Sequence, residues 1–112
     1  MKYNNNTFKF EKISLQKLAK KYETPLYCYS YKKLKQNIDD FKLNFKSFSP
    51  LICFATKANS NLKILKEIKK NGLGADVVSK GELMKALKAG ISSKKIVFSG
   101  VGKTSSELSY AI

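Results

Sequence analysis

Along this chain the spacing of apolar positions changes repeatedly, and each change marks an element. Ile13, Leu15, Leu18 and Ala19 recur at helical spacing within Ile13–Tyr22, with Ser14 placed to cap them. Thr24-Pro25 ends that helix, because a proline disfavours helical backbone in the residue before it. The aromatic-rich run Leu26–Tyr29 predicts a strand. Ser30 then caps a longer helix whose apolar face is Tyr31, Leu34, Ile38, Phe41 and Phe45, at spacings of three and four, and Ser49-Pro50 breaks it.

Beyond Pro50 the rhythm shortens. Leu51–Thr56 is a continuous apolar run of strand length, the signature of a strand covered on both faces. A helix with Leu62, Leu65 and Ile68 on one side follows, closed by Gly72; Ala75–Val78 is a second strand. Leu83, Ala86 and Leu87 mark the next helix, closed by Gly90; Ile96–Phe98 is a third strand, and a last helix begins near Ser105. Ser79-x-x-Glu82 and Thr104-x-x-Glu107 are capping boxes, each a hydroxyl and a carboxylate three residues apart. An alternating β-α series of this kind predicts an α/β fold with parallel strands. Three βα units do not close a barrel, which takes ~250 residues. The helical pattern also runs on to Ile112 without a stop signal, so the expectation is a truncated chain.

Composition adds exclusions. At 112 residues and 43% hydrophobic, the chain has the size of one domain and enough apolar surface for a core. No apolar run reaches the ~20 residues that cross a bilayer, and Met1–Phe10 is polar and Asn-rich, unlike a signal peptide. The expectation is a cytoplasmic protein without a membrane partner. A net charge of +14 raises nucleic-acid binding as a reading. All 22 basic residues are Lys, however, and they are spread along the chain; Arg, which forks onto phosphates and guanine edges, is absent. No specific nucleic-acid partner is expected. Cys28 and Cys53, with no His anywhere, make neither a metal spacing nor a disulfide framework, and read as buried reduced thiols.

Two positions carry chemistry. Lys57 follows the strand Leu51–Thr56 directly, and in a parallel α/β fold that is the C-terminal mouth where active sites are built. A lysine flanked by Ala55 and Ala58 has small neighbours, and desolvation there would favour the neutral amine that attacks an aldehyde. Against this stands the plain reading of Lys57 as one of 22 lysines at a loop start. Asp76 lies within the second strand, where a carboxylate is costly unless paired, for example with a lysine from the neighbouring strand's mouth or with a cofactor. Ser79, Glu82 and Thr104 are explained as caps. The loop Gly100-Val-Gly102-Lys103 precedes a helix start and could receive an anion, but it lacks the spacing of a nucleotide loop.

These segments resemble one family. Ile52-Cys-Phe-Ala-Thr-Lys-Ala-Asn-Ser60 is similar to the lysine segment of the pyridoxal-phosphate-dependent decarboxylases built on an alanine-racemase-like barrel. Gly74–Leu83 resembles that family's second-strand signature, and Phe98–Thr104 its third-strand segment as found in the diaminopimelate branch. Thr24-Pro-Leu-Tyr-Cys-Tyr-Ser30 is similar to the family's opening strand. The likeness runs from about Ile13 to the end.

The resemblance implies pyridoxal phosphate as cofactor, Lys57 as its Schiff-base lysine, Asp76 near the cofactor and that lysine, and Glu82 in a supporting cofactor-binding role; no metal is implied. It implies the N-terminal part of a (β/α)8 barrel, with residues 1–30 belonging to a β-domain that follows the barrel and residues 31–112 forming the first three βα units. The implied reaction is decarboxylation of an amino acid, meso-diaminopimelate to lysine, by a head-to-tail homodimer. Alternatives of the same fold are an ornithine- or arginine-type decarboxylase and a non-catalytic pyridoxal-phosphate-binding barrel. The phosphate loop, the acidic partner of the pyridine nitrogen and the catalytic cysteine lie downstream in relatives, beyond Ile112.

Overall fold

The structure, a computed structural model, describes residues 2–4 and 7–112. It divides into two compact units, Met1–Asp40 and Phe41–Ile112.

The first unit opens on a small antiparallel sheet, β1 (Lys2–Asn4), β2 (Thr7–Phe10) and β3 (Ile13–Ser14), in that order, with Lys2 opposite Lys9 and Phe10 opposite Ile13. Nothing in the polar start of the chain signals these strands. Helix α1 (Leu15–Tyr22) lies against β2 and β3. Ser14 is its N-cap residue, as expected, although its hydroxyl makes no capping bond. Helix α2 (Tyr31–Asn44) has a better-built start. The Lys33 N–H donates to Ser30 Oγ at 2.9 Å, and the Glu11 carboxylate accepts from the Lys32 N–H at 3.2 Å and from the Ser30 hydroxyl. Two otherwise orphaned amides are thereby satisfied, one by a residue remote in sequence. The strand expected at Leu26–Tyr29 does not form: the segment pairs with no strand among the described residues, and Tyr27 and Tyr29 are exposed. Extended backbone becomes a strand only where a neighbour takes its hydrogen bonds.

The second unit is the β-α series read from the sequence: β4 (Cys53–Ala55), α3 (Leu62–Lys70), β5 (Gly74–Val77), α4 (Lys80–Lys88), β6 (Ile96–Phe98) and α5 (Ser105–Ala111). The strands are parallel in the order β4-β5-β6, with Ala55 opposite Asp76 and Asp76 opposite Val97. One face of the sheet is covered by helices. Ala75 and Val77 point to it and are fully buried, with Leu65 and Ile68 of α3 and Leu83 and Ala86 of α4 in the same core. On the other face Val97 is 47% exposed. The run Leu51–Thr56 therefore departs from a strand covered on both sides. Only Cys53–Ala55 pair, all three are half-buried, Leu51 is exposed, and Thr56 has already entered a 3-10 turn. The edge position of β4 explains its incomplete cover. Cys28 and Cys53 are free thiols, half-buried rather than buried, and burial with the nearby Asp76 charge pushes the Cys53 thiol up.

Glycines sit where the backbone demands them. Gly72 and Gly90, at positive φ of 77° and 85°, follow α3 and α4 as terminators. Gly74 answers a different need: a Cβ there would lie 2.1 Å from the Lys95 carbonyl oxygen, because the chain entering β6 passes directly over it. Lysines complete the far end of α3, where Lys42 Nζ donates to the Asn71 carbonyl and Lys95 Nζ to the Gly72 carbonyl at 3.0 Å.

Two outcomes follow from this packing. Gly74→Ala should destabilise the protein by about 2 kcal/mol or more, since backbone must move to admit the methyl, and a denaturant melt will register the loss. The second concerns acid. Hydrogen bonds from Ser30 and the Lys32 amide hold Glu11 below its ordinary value of 4.5, and the Thr104 amide does the same for Glu107. Their folded-state values lie below their unfolded ones, so the stabilisation is complete above the ordinary carboxylate value and disappears as pH falls through the lowered one. Melting temperature should decline as pH falls below the ordinary carboxylate value of 4.5, and less steeply in Glu11→Gln and Glu107→Gln.

Candidate active site

The C-terminal ends of β4, β5 and β6 carry the polar groups, and a two-residue repeat puts them on the face away from the core. Ala55, Asp76 and Val97 are register neighbours. Ser99 continues the same side one step beyond Val97, and its hydroxyl donates to Asp76 Oδ1 at 2.5 Å. The half-buried Asp76 is thus satisfied by a serine, where a lysine or a cofactor was the expectation, and its Oδ2 is left without a partner among the described residues.

Lys57 lies in the 3-10 turn Thr56–Ala58, two residues past Ala55. Its side chain is exposed, without hydrogen bond or ion pair among the described residues, so the desolvation expected from its alanine neighbours is not supplied by these elements. The turn around it is well determined. The Asn59 N–H donates to the Thr56 carbonyl at 3.1 Å, Asn59 Oδ1 accepts from the Asn61 N–H, and Asn61 Oδ1 caps α3 by accepting from the Lys63 N–H. Lys85 Nζ, from α4, donates to Ser60 Oγ at 2.8 Å.

Thr56 is the one fully buried polar residue among those described. Its single hydroxyl proton is shared between the Asp76 carbonyl oxygen and Glu82 Oε2, the latter at 3.0 Å. The same Glu82 oxygen accepts from the Val78 N–H at 2.9 Å, while the Glu82 N–H donates to Ser79 Oγ at 3.3 Å. The capping box expected at Ser79–Glu82 is therefore only half made. Its carboxylate turns away from the Ser79 amide to join the ends of β4 and β5 to the start of α4. The Thr104–Glu107 box is complete, and Glu107 also accepts from the Lys80 N–H at 3.3 Å. That carboxylate occupies the start of α5, and Lys103 Nζ is bound to the Gly100 carbonyl, so the Gly100–Lys103 loop is not a free anion receptor. Sequence reasoning missed Thr56 and Ser99; the signals were a hydroxyl closing an apolar run and a serine two residues beyond a strand position level with Asp76.

Comparison with known proteins gives this arrangement its context. Residues 31–112 match the family model described as pyridoxal-dependent decarboxylase, pyridoxal binding domain. Diaminopimelate decarboxylase of Helicobacter pylori strain J99 is 50% identical over 100 residues, 89% of this chain and 25% of that protein. A crystal structure of a protein from Aquifex aeolicus superposes with a TM-score of 0.94 at 43% identity, covering 98% of this chain and 27% of the other. The Helicobacter pylori diaminopimelate decarboxylase complexed with L-lysine superposes with a TM-score of 0.82 at 47% identity, over 88% of this chain and 25% of that one. The chain spans about a quarter of the length of the curated relatives it matches. The residues present suit the aldehyde end of such a cofactor: an accessible amine without a competing partner, and on the adjacent strand a carboxylate with one oxygen already anchored and one open.

Because Glu82 joins three segments, its loss reaches beyond a helix cap. Glu82→Ala should cost about 2 kcal/mol in urea unfolding, against about 1 kcal/mol for Ser79→Ala, which removes one capping bond.

Proposed function

Since the chain belongs to the pyridoxal-dependent decarboxylase family through its pyridoxal-binding domain, we propose that it carries the cofactor-anchoring lysine of a diaminopimelate decarboxylase, and that this lysine is Lys57. The observation that carries this reading is geometric: the exposed, unpartnered amine follows β4 at its C-terminal end, two residues past Ala55, whose register partner is Asp76. The substrate is the amino acid meso-diaminopimelate and the products are L-lysine and CO2. Support comes from the identity to the Helicobacter pylori and other enzymes of that name, one of which is known in complex with L-lysine.

Each residue has a task. Lys57 would hold the cofactor through Nζ, and its exposure would let solvent take up the ammonium proton that must leave before the amine can act as a nucleophile. Pyridoxal phosphate, when bound, supplies an electron sink for the pair left on the α-carbon by departing CO2. Asp76, anchored through Oδ1 by Ser99, keeps Oδ2 on the open face, where a fixed carboxylate attracts and orients cationic nitrogen. Glu82 acts from below, through Thr56. On this reading residues 31–112 are the first three βα units of a (β/α)8 barrel, and residues 1–30 pair with a β-domain, which gives the exposed Leu26–Tyr29 segment the strand neighbour it lacks here. The active form is a cytoplasmic homodimer of a protein of the relatives' length.

The test is chemical. Borohydride reduction of the full-length protein with pyridoxal phosphate should fix the cofactor on the peptide containing Lys57, and label on another lysine overturns the assignment. Lys57→Ala should abolish CO2 release while leaving the melting temperature within a few degrees of the native value, because an exposed side chain contributes little packing.

A further inference from the structure

A buried hydroxyl immediately before the proposed anchoring lysine calls for an explanation that its neighbours supply. Thr56 is wholly inaccessible, and its Oγ1 reaches two acceptors on two other elements: the Asp76 carbonyl on β5 and Glu82 Oε2 at the start of α4. An apolar side chain of the same shape would fill this site but would deprive both acceptors of the hydroxyl they share. The backbone of Thr56 adds to the hold, since its carbonyl closes the turn by accepting from the Asn59 N–H. Lys57 therefore leaves a residue fixed at its side chain and at its carbonyl, while its own side chain is exposed and unpartnered.

We infer that Thr56 is a positioning residue for Lys57: its hydroxyl, shared between Asp76 and Glu82, locks the turn so that the backbone bearing the amine is held at the mouth of β4, next to the strand that carries Asp76. This rests on the reading of Lys57 as the cofactor lysine. Glu82 enters the same device through its contact with Thr56, which also explains why its carboxylate leaves the Ser79 amide uncapped. Preorganisation of this kind acts on the rate at which the amine meets the aldehyde, because a lysine on a wandering turn spends less time at the attacking angle.

The experiment measures the rate of covalent attachment of pyridoxal phosphate to Lys57 in the full-length protein without substrate. Borohydride quenching at successive times and peptide mass mapping give the labelled fraction, normalised to folded protein by thermal melt. Thr56→Val removes the hydroxyl and keeps the shape. Thr56→Ala and Thr56→Ser lack the same methyl and differ only in the hydroxyl, so their comparison holds even where the valine variant folds poorly. Attachment should slow about tenfold in Thr56→Val and Thr56→Ala and return to near the native rate in Thr56→Ser. Equal attachment rates in all four proteins, with differences confined to melting temperature, would overturn the inference and leave the assignment of Lys57 standing. Label on a lysine other than Lys57 in the native protein would overturn both.

Discussion

A hydroxyl buried without water must find its partners in the protein, and Thr56 finds them on two different elements. One is the last part of β5, the other the first turn of α4. That single demand fixes how far β4 extends before it turns and how β5 hands over to α4. It also decides which way the Glu82 carboxylate faces. An ionised carboxylate that takes a hydroxyl and a backbone N–H is held more firmly than either neutral bond would hold it. Loss of any one member leaves the others buried with fewer partners, so the group behaves as a unit. The turn bearing Lys57 inherits this order without being buried itself.

Alternation along the strands then separates structure from chemistry. On β5, Ala75 and Val77 serve the core and are fully buried, while Asp76 between them faces away with Ala55 and Val97. A parallel strand with a carboxylate in its middle is tolerable only because the pleat turns that residue to the uncovered side and Ser99 meets it there. Gly74 imposes a constraint of the opposite kind. The chain entering β6 crosses it so closely that no side chain fits, and β5 and β6 pair in the register that sets Val97 opposite Asp76 and Ser99 two residues further along the same side.

Much of the second unit was legible because its elements are punctuated by chemistry that acts locally. Glycine ended α3 and α4, capping residues opened α4 and α5, and the apolar spacing of Leu65, Ile68, Leu83 and Ala86 marked the core faces that the structure buries. What the sequence hid was decided by distant partners. The sheet β1–β3 forms from very short segments, among them Thr7–Phe10 and Ile13–Ser14, held by backbone-to-backbone ladder bonds and too brief to stand out from the polar, Asn-rich start of the chain. Leu26–Tyr29 has the composition of a strand but no neighbour within the described residues to make it one. Glu82 read as a cap because its spacing from Ser79 is that of a capping box. Only the fold shows that the Thr56 hydroxyl outcompetes the Ser79 amide for its oxygen. At the candidate site, Lys57 and Asp76 were visible as types in suggestive places, whereas the hydroxyls of Thr56 and Ser99 leave only a faint signal, a hydroxyl closing an apolar run and a serine just past a strand, because their partners lie on other elements.

The imbalance of charge sharpens the same point. With 22 lysines and eight acidic residues, carboxylates are scarce, and three of them go to backbone amides that lack partners. Glu11, Glu82 and Glu107 each accept from amides at the start of a helix, and two of the three reach there from another element. Lysines, in surplus, turn to carbonyl oxygens: Lys42 and Lys95 at the end of α3, Lys103 at Gly100. In such a chain neither abundance nor net charge distinguishes one lysine from another. What distinguishes Lys57 is that it combines exposure with a rigid base: a free ammonium on a turn whose preceding residue is bonded to two neighbouring elements. An exposed lysine without such bonds can ordinarily be exchanged for another solvated group at small cost. The backbone position of Lys57 is set by the core, because the buried threonine before it is bonded to β5 and to the start of α4.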